Sequence, residues 1–135
     1  MSTINDQTMQ LVNKALNAAV YRNEAISNNI ANVNTRNYKA NRVLFEEELK
    51  NAMSGLKNKL HTTHSNHISA TKSLDDITPK MVKDTTTSMR LDGNNVDIDV
   101  ENANLAANQL LYNTLIQQAS KKISVLRHVI SEGSR

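Results

Sequence analysis

Apolar residues recur at steps of three and four at each end of this chain, and no other feature restricts its fold so strongly. Near the N-terminus, Met9, Val12, Leu16, Ala19, Asn23, Ile26, Ile30 and Val33 alternate in that way. This is the 3.5-residue period of a helix carrying one apolar seam. The residues between them (Lys14, Asn17, Ala18, Arg22, Glu24) are mainly polar or Ala, and neither Gly nor Pro interrupts. At ~1.5 Å per residue, a helix over Met9–Val33 is roughly 40 Å long.

The C-terminal stretch repeats the design. Leu105, Gln109, Tyr112, Ile116, Ala119, Ile123, Leu126 and Ile130 step four, three, four, three, and Leu110, Leu111, Leu115 and Val129 broaden the apolar face. The helix is expected to begin near Asp97–Glu101, where Asp97, Asp99 and Glu101 supply capping oxygens and negative charge at the positive end of the helix dipole. Lys121, Lys122, Arg127 and His128 lie toward the opposite end, and Gly133 is the stop signal. Each seam has one polar member, Asn23 or Gln109. Such a residue either specifies register and partner at some cost in stability or occupies a partly exposed position that tolerates it; the spacing supports both. A helical hairpin within a globular bundle also fits the periodicity, but two helices cannot cover faces this broad with one another alone.

The remaining composition points away from a compact enzyme. Aromatics make up 3% of the chain (Tyr21, Tyr38, Phe45, Tyr112), there is no Trp, and mean hydropathy is −0.52. That leaves few large side chains for a core. The net charge of +3 is spread among acidic residues with no run of five or six like charges, so nucleic acid is not an expected partner. The absence of cysteine excludes disulfides, thiolate metal sites and thiol catalysis, and suits passage through an oxidising compartment. No apolar run is long enough to span a bilayer. Met1–Gln10 is polar and has no secretory core, so any export is expected to use a route without a cleaved signal of that kind.

Between the helices the chain is rich in Ser, Thr, Asn and Lys and contains the single Pro, Pro79. Phe45–Met53 reads as a short helix ending at Gly55. Asp92-Gly93-Asn94-Asn95 is a turn signal, forming either a small hairpin between Ser88–Leu91 and Val96–Val100 or an irregular loop into the last helix. The organisation is one structural domain in three parts: 1–35, an N-terminal helix; 36–96, a loop-rich middle; and 97–135, a C-terminal helix. His61, His64 and His67 share one side only if helical, and Thr62-Thr63 and Ser65-Asn66 disfavour that, so a solvated connector is the plainer reading than a metal site. Asp75 and Asp76 point apart, and Asp97 with Asp99 is explained by a helix start. No phosphate loop or Ser–His–Asp signature occurs, and neither catalysis nor a cofactor is expected.

Ser27-Asn28-Asn29-Ile30-Ala31-Asn32-Val33-Asn34-Thr35, followed by Tyr38-Lys39, resembles the signature of flagellar rod and hook proteins. In that family an N-terminal helix ends in Ser/Ala-Asn-Asn-Ile-Ala-Asn-x-Asn-Thr-Pro-Gly-Tyr. Asp92 to Glu101, followed by Leu105-Ala106-Ala107-Asn108-Gln109 and Tyr112, resembles the proximal rod subunits in particular. The Glu-Met and Arg-x-Tyr-Glu-Ala-Asn ending of the other members is missing, and His67-Ile68 loosely matches a His-containing patch. The motif positions carried over are Asn28, Asn29, Ile30, Ala31, Asn32, Asn34, Thr35 and Tyr38. Arg36-Asn37 replaces the family's Pro-Gly, and Asn is the next best residue for a left-handed turn.

The resemblance implies a mainly α fold, with the two long helices paired as an antiparallel, coiled-coil-like core around a loop-rich middle. It implies a structural subunit of the flagellar basal-body rod at its proximal end, exported by the flagellar type III apparatus and assembled in the periplasm. The implied partners are copies of itself, other rod proteins, a small junction protein at the rod base, and the export gate with the inner-membrane ring complex. Two neighbouring readings are another rod protein of the same family and a helical adaptor or chaperone for flagellar export.

Overall fold

A computed structural model describes residues 2–57, 77–86 and 90–133. In chain order the elements are α1 (Ser2–Ala31), β1 (Asn41–Leu44), α2 (Glu46–Lys57), β2 (Lys80–Lys83) and α3 (Ile98–Glu132). The mainly helical fold expected above is the one observed. α1 and α3 are antiparallel neighbours: the Asn29 side chain meets Glu101, and the Asn108 side chain meets the Ala19 carbonyl. Residues higher in one helix thus oppose residues lower in the other.

The ends differ from the expectation in informative ways. α1 starts at Ser2, ahead of the first seam residue, because helix needs only backbone continuity where polar residues carry no breaker. It stops at Ala31, short of Val33, because the carbonyls beyond are taken by another segment, described below. α3 begins as expected. Asp97 is the N-cap, and its carboxylate accepts from the N–H groups of Asp99 (2.9 Å) and Val100 (3.3 Å). Gly133 does end α3, but in a right-handed conformation (φ −72°), with its N–H donating to the Val129 carbonyl. The expected basic residues stop short of the last turn.

β1 and β2 pair antiparallel, with Asn41 opposite Lys83 and Leu44 opposite Lys80. The sheet therefore does not lie around Asp92–Asn95; that turn is the irregular loop into α3. Pairing of segments so distant in sequence leaves no local turn signature to read. α2 begins with Glu46, Glu47 and Glu48 in its first turn and continues through Gly55 to Lys57. One Gly in a helix costs only ~1 kcal/mol relative to Ala, too little to act as a stop alone.

The core is small and lies on the side of α1 that carries Ala18. Ala18, Phe45, Ala52 and Ile77 are buried together, with Ala15, Val43 and Leu49 packed against them. Alanines on α1 admit the large Phe45 and Ile77 side chains from the middle segment. The Lys14 ammonium donates to the Ile77 carbonyl (2.9 Å), and Arg22 pairs with Glu46, tying that segment to the helix. His61, His64, His67, Asp75, Asp76 and Ser88 lie outside the described residues.

Candidate assembly interface

An asparagine-rich run is a poor helix former because its amides compete for backbone groups. Here that competition joins the two long helices. Asn29, 1% exposed, uses its whole hydrogen-bonding capacity. Its Nδ2 donates to the Asn41 carbonyl (3.0 Å) and to Glu101 Oε2 (3.2 Å). Its Oδ1 accepts from the Asn41 N–H (2.7 Å) and the Tyr38 hydroxyl (3.3 Å). One side chain thereby links the end of α1, the start of β1 and the first turn of α3. Asn41 Nδ2 closes the ring by donating to the Tyr38 oxygen (3.1 Å).

Asn94, fully buried, is the second joint. Its Nδ2 faces the carbonyls of Asn32 (3.1 Å), Val33 (3.0 Å) and Thr35 (2.9 Å), just past the end of α1; those of Asn32 and Thr35 also accept from the Thr35 and Tyr38 N–H groups. Arg90 Nη1 also donates to the Val33 carbonyl. Asn94 Oδ1 accepts from the Val96 N–H (2.8 Å), holding the lead into α3. Asn95 accepts from the Ala40 N–H (2.8 Å) and donates to the Asp84 carbonyl (2.9 Å), extending the end of the β1–β2 ladder. Within the motif, Asn32 Nδ2 donates to the Asn28 carbonyl and Thr35 Oγ1 to Asn32 Oδ1.

The departure at Arg36-Asn37 keeps its turn. Asn37 has φ +58°, in the left-handed region, and its N–H donates to the Asp92 carbonyl (2.9 Å). Gly93 (φ +80°) packs against it so closely that a Cβ there would lie 2.6 Å from Asn37 Oδ1.

The charges around this joint are structural. Glu101, 2% exposed, has Arg42 Nη1 at 3.8 Å, and Arg42 also faces Asp84 at 3.8 Å. Burial pushes the Tyr38 phenol above its usual range, and the Glu101 carboxylate pushes it the same way. The Thr86 hydroxyl, and then its backbone N–H, hold the Asp84 carboxyl below the usual range; Arg42 and Lys39 reinforce this. Among the described residues, no three metal-ligating side chains converge and no helix is long and apolar enough to cross a membrane.

The seam residues divide between the helices. On α1, Val12, Ala19 and Ile26 are buried, Met9, Leu16 and Ile30 are half-buried, and Asn23 is exposed; Val33, past the helix end, is half-buried. On α3 only Leu105 and Ala119 are half-buried; Gln109, Tyr112, Ile116, Ile123, Leu126 and Ile130 are exposed. The buried or half-buried positions of α3 are Glu101, Asn104, Leu105, Asn108, Leu115, Ala119 and Lys122. That line is rotated from the apolar stripe. Counting apolar residues found Leu105, Leu115 and Ala119 of this line but missed its two most buried members, Glu101 and Asn108, because they are polar. Asn23 and Gln109, exposed, do not set register within the pair, whereas Asn29 and Asn108 bridge it. Of the motif, Asn29 is buried, Ile30, Asn32 and Tyr38 are half-buried, and Asn28, Ala31, Asn34 and Thr35 are exposed.

Comparison with known proteins agrees with this geometry. Residues 9–39, which contain the N-terminal seam and, of the asparagine joint, Asn29 and Tyr38, match the family described as flagella basal body rod protein. Proteins named flagellar basal body rod protein FlgB are similar along nearly the whole chain. That of Bacillus subtilis (strain 168) is 35% identical over 126 residues, covering 93% of this chain and 95% of its own. That of Borreliella burgdorferi is 36% identical over 115 residues (82% and 85%), and that of Escherichia coli (strain K12) 31% over 134 residues (96% of each). An asparagine joint binding two long helices, an apolar stripe turned outward from one of them, and this similarity over most of its length place the chain in the FlgB family of flagellar basal body rod proteins, as a structural subunit of the rod.

Proposed function

We propose that the protein builds the proximal end of the rod, joining the export gate and inner-membrane ring complex, through a small junction protein, to the rest of the drive shaft. It reaches that position through the flagellar type III apparatus and works by assembly, not catalysis. The stripe on α3 carries this reading: Ile116, Ile123 and Ile130 recur every seven residues and are 41%, 41% and 72% exposed. Large aliphatic side chains in a continuous row indicate a face that another subunit covers. The two seams then act together as the assembly surface, with copies of this chain and other rod proteins as the neighbours. A contact repeated head to tail without closing generates a tube. Helices completed only by their neighbours become fully ordered during assembly.

The test is Ile123→Lys in cells, with recovery of the tagged chain in purified basal bodies. The expected result is normal expression, loss of motility and absence of the variant from basal bodies. A motile strain carrying it would overturn the reading. Failure of the unaltered chain to appear at the membrane end of the rod would favour an export adaptor or another rod position.

A further inference from the structure

A groove of about 520 Å³ lies between α1 and α3, lined by Ala19, Val20, Asn23, Leu105, Asn108, Gln109 and Tyr112. Five of these are seam residues: Ala19 and Leu105 lie at the α1–α3 contact, and Asn23, Gln109 and Tyr112 are exposed beside it. The exposed stripe through Ile116 and Ile123 continues from the groove along α3. No formally charged side chain lines the groove.

Asn108 is 6% exposed. Its Nδ2 donates to the Ala19 carbonyl (2.9 Å), which fixes the orientation of the amide, since the carbonyl must face the NH₂. Asn108 Oδ1 is buried and, among the described residues, has no hydrogen-bond partner. Native structures seldom leave a buried acceptor unpaired. The outer surface of α3 carries a complementary row: Asn113, Gln117, Ser120 and Ser124 are all exposed, at i, i+4, i+7 and i+11, beside Ile116 and Ile123. These are neutral donors. A Lys or Arg would have to shed its hydration against a single uncharged acceptor, whereas an amide or hydroxyl sheds far less.

We propose that this groove receives α3 of a second copy of the chain, and that a neutral side-chain donor from the Asn113–Ser124 row pairs with Asn108 Oδ1. The inference rests on the rod-assembly reading above and adds the occupant and its chemistry. Because the oxygen is occluded in the lone helix pair, α1 and α3 part slightly around Asn108 as the neighbour seats, so docking and local repacking are coupled.

The chain contains no cysteine, so single cysteines report cleanly. Gln109→Cys and Gln117→Cys are expressed together under different tags, and purified basal bodies are treated with a short bismaleimide. The expected product joins two copies of this chain, and the cysteine of Gln109→Cys reacts with maleimide at least ten-fold more slowly in basal bodies than in the free subunit. A reactive groove cysteine in assembled rods, or cross-linking only to a different rod protein, overturns the proposal and leaves the rod assignment standing. Absence of the chain from basal bodies would overturn both. Asn108→Leu removes the acceptor: incorporation is expected to fall at least ten-fold while the helical circular dichroism of the free subunit persists. Undiminished incorporation refutes the donor pairing; if the variant does not fold, the protection and cross-linking results decide.

Discussion

Replacing Asn29 by alanine removes four hydrogen bonds at once, from the Asn41 backbone, Tyr38 and Glu101. A hydrogen bond contributes a net ~0.5–1.5 kcal/mol, and more is lost when a buried partner is stranded. The half-buried Tyr38 hydroxyl can turn toward water. Glu101 cannot: at 2% exposure its remaining charged neighbour is Arg42, at 3.8 Å. The expected loss is therefore about 3 kcal/mol, a large share of the stability of a small domain. Urea unfolding of the full chain, followed by circular dichroism, measures it as a midpoint lowered by on the order of 1–3 M. Asn29→Asp is the sharper control. It keeps the shape and the acceptors but loses both donations and sets a second carboxylate beside Glu101. Its loss should equal or exceed that of alanine at neutral pH and shrink as pH falls through the carboxylate range. A loss under ~0.5 kcal/mol for Asn29→Ala would refute the claim that this amide holds the helices together.

Three other expectations follow from the same geometry. Gly93→Ala should destabilise by ~1–2 kcal/mol, since φ is +80° and the new Cβ would meet Asn37, whereas Asn37→Gly should be neutral or stabilising by up to ~1 kcal/mol; thermal melts compare the two. Lysine at one seam isoleucine of each helix should have different consequences: Ile123→Lys, on an exposed position, keeps the subunit folded and blocks assembly, whereas Ile26→Lys, at a position 4% exposed, lowers the yield of folded protein before assembly is reached. Stability should also fall at both extremes of pH, as followed by helical signal. The raised Tyr38 value means a contribution present below the ordinary phenol value of about 10 and lost as pH rises through the folded value; the lowered Asp84 value means one present above the ordinary carboxylate value of about 4 and lost as pH falls through the folded value.

The long helices, the Asp97 start and the apolar stripes could be read from the chain alone, because period and capping are local properties. The asparagine run was legible as a family motif; residue type allowed a left-handed turn at Asn37 without deciding it, and the tertiary structure supplies it (φ +58°). Which line of α3 meets α1 was not legible. Apolar counting favoured Leu105, Gln109, Ile116 and Ile123; the contact keeps Leu105 but otherwise turns on the polar Glu101 and Asn108. The pairing of Asn41–Leu44 with Lys80–Lys83 was hidden for a related reason, since a ladder between distant segments needs no turn residue between them.

The division has one physical cause. Periodicity records where apolar side chains lie around a helix, and on α3 it marks a face that α1 leaves exposed. A buried amide or carboxylate is tolerated only when its partners come into reach. Those partners (Asn41, Tyr38 and Glu101 for Asn29; Asn32, Val33, Thr35 and Val96 for Asn94) come from separate segments of the chain. The sequence by itself determined that two long helices exist and have an apolar face to cover. Only the tertiary structure decided that polar joints hold them together, leaving that face free.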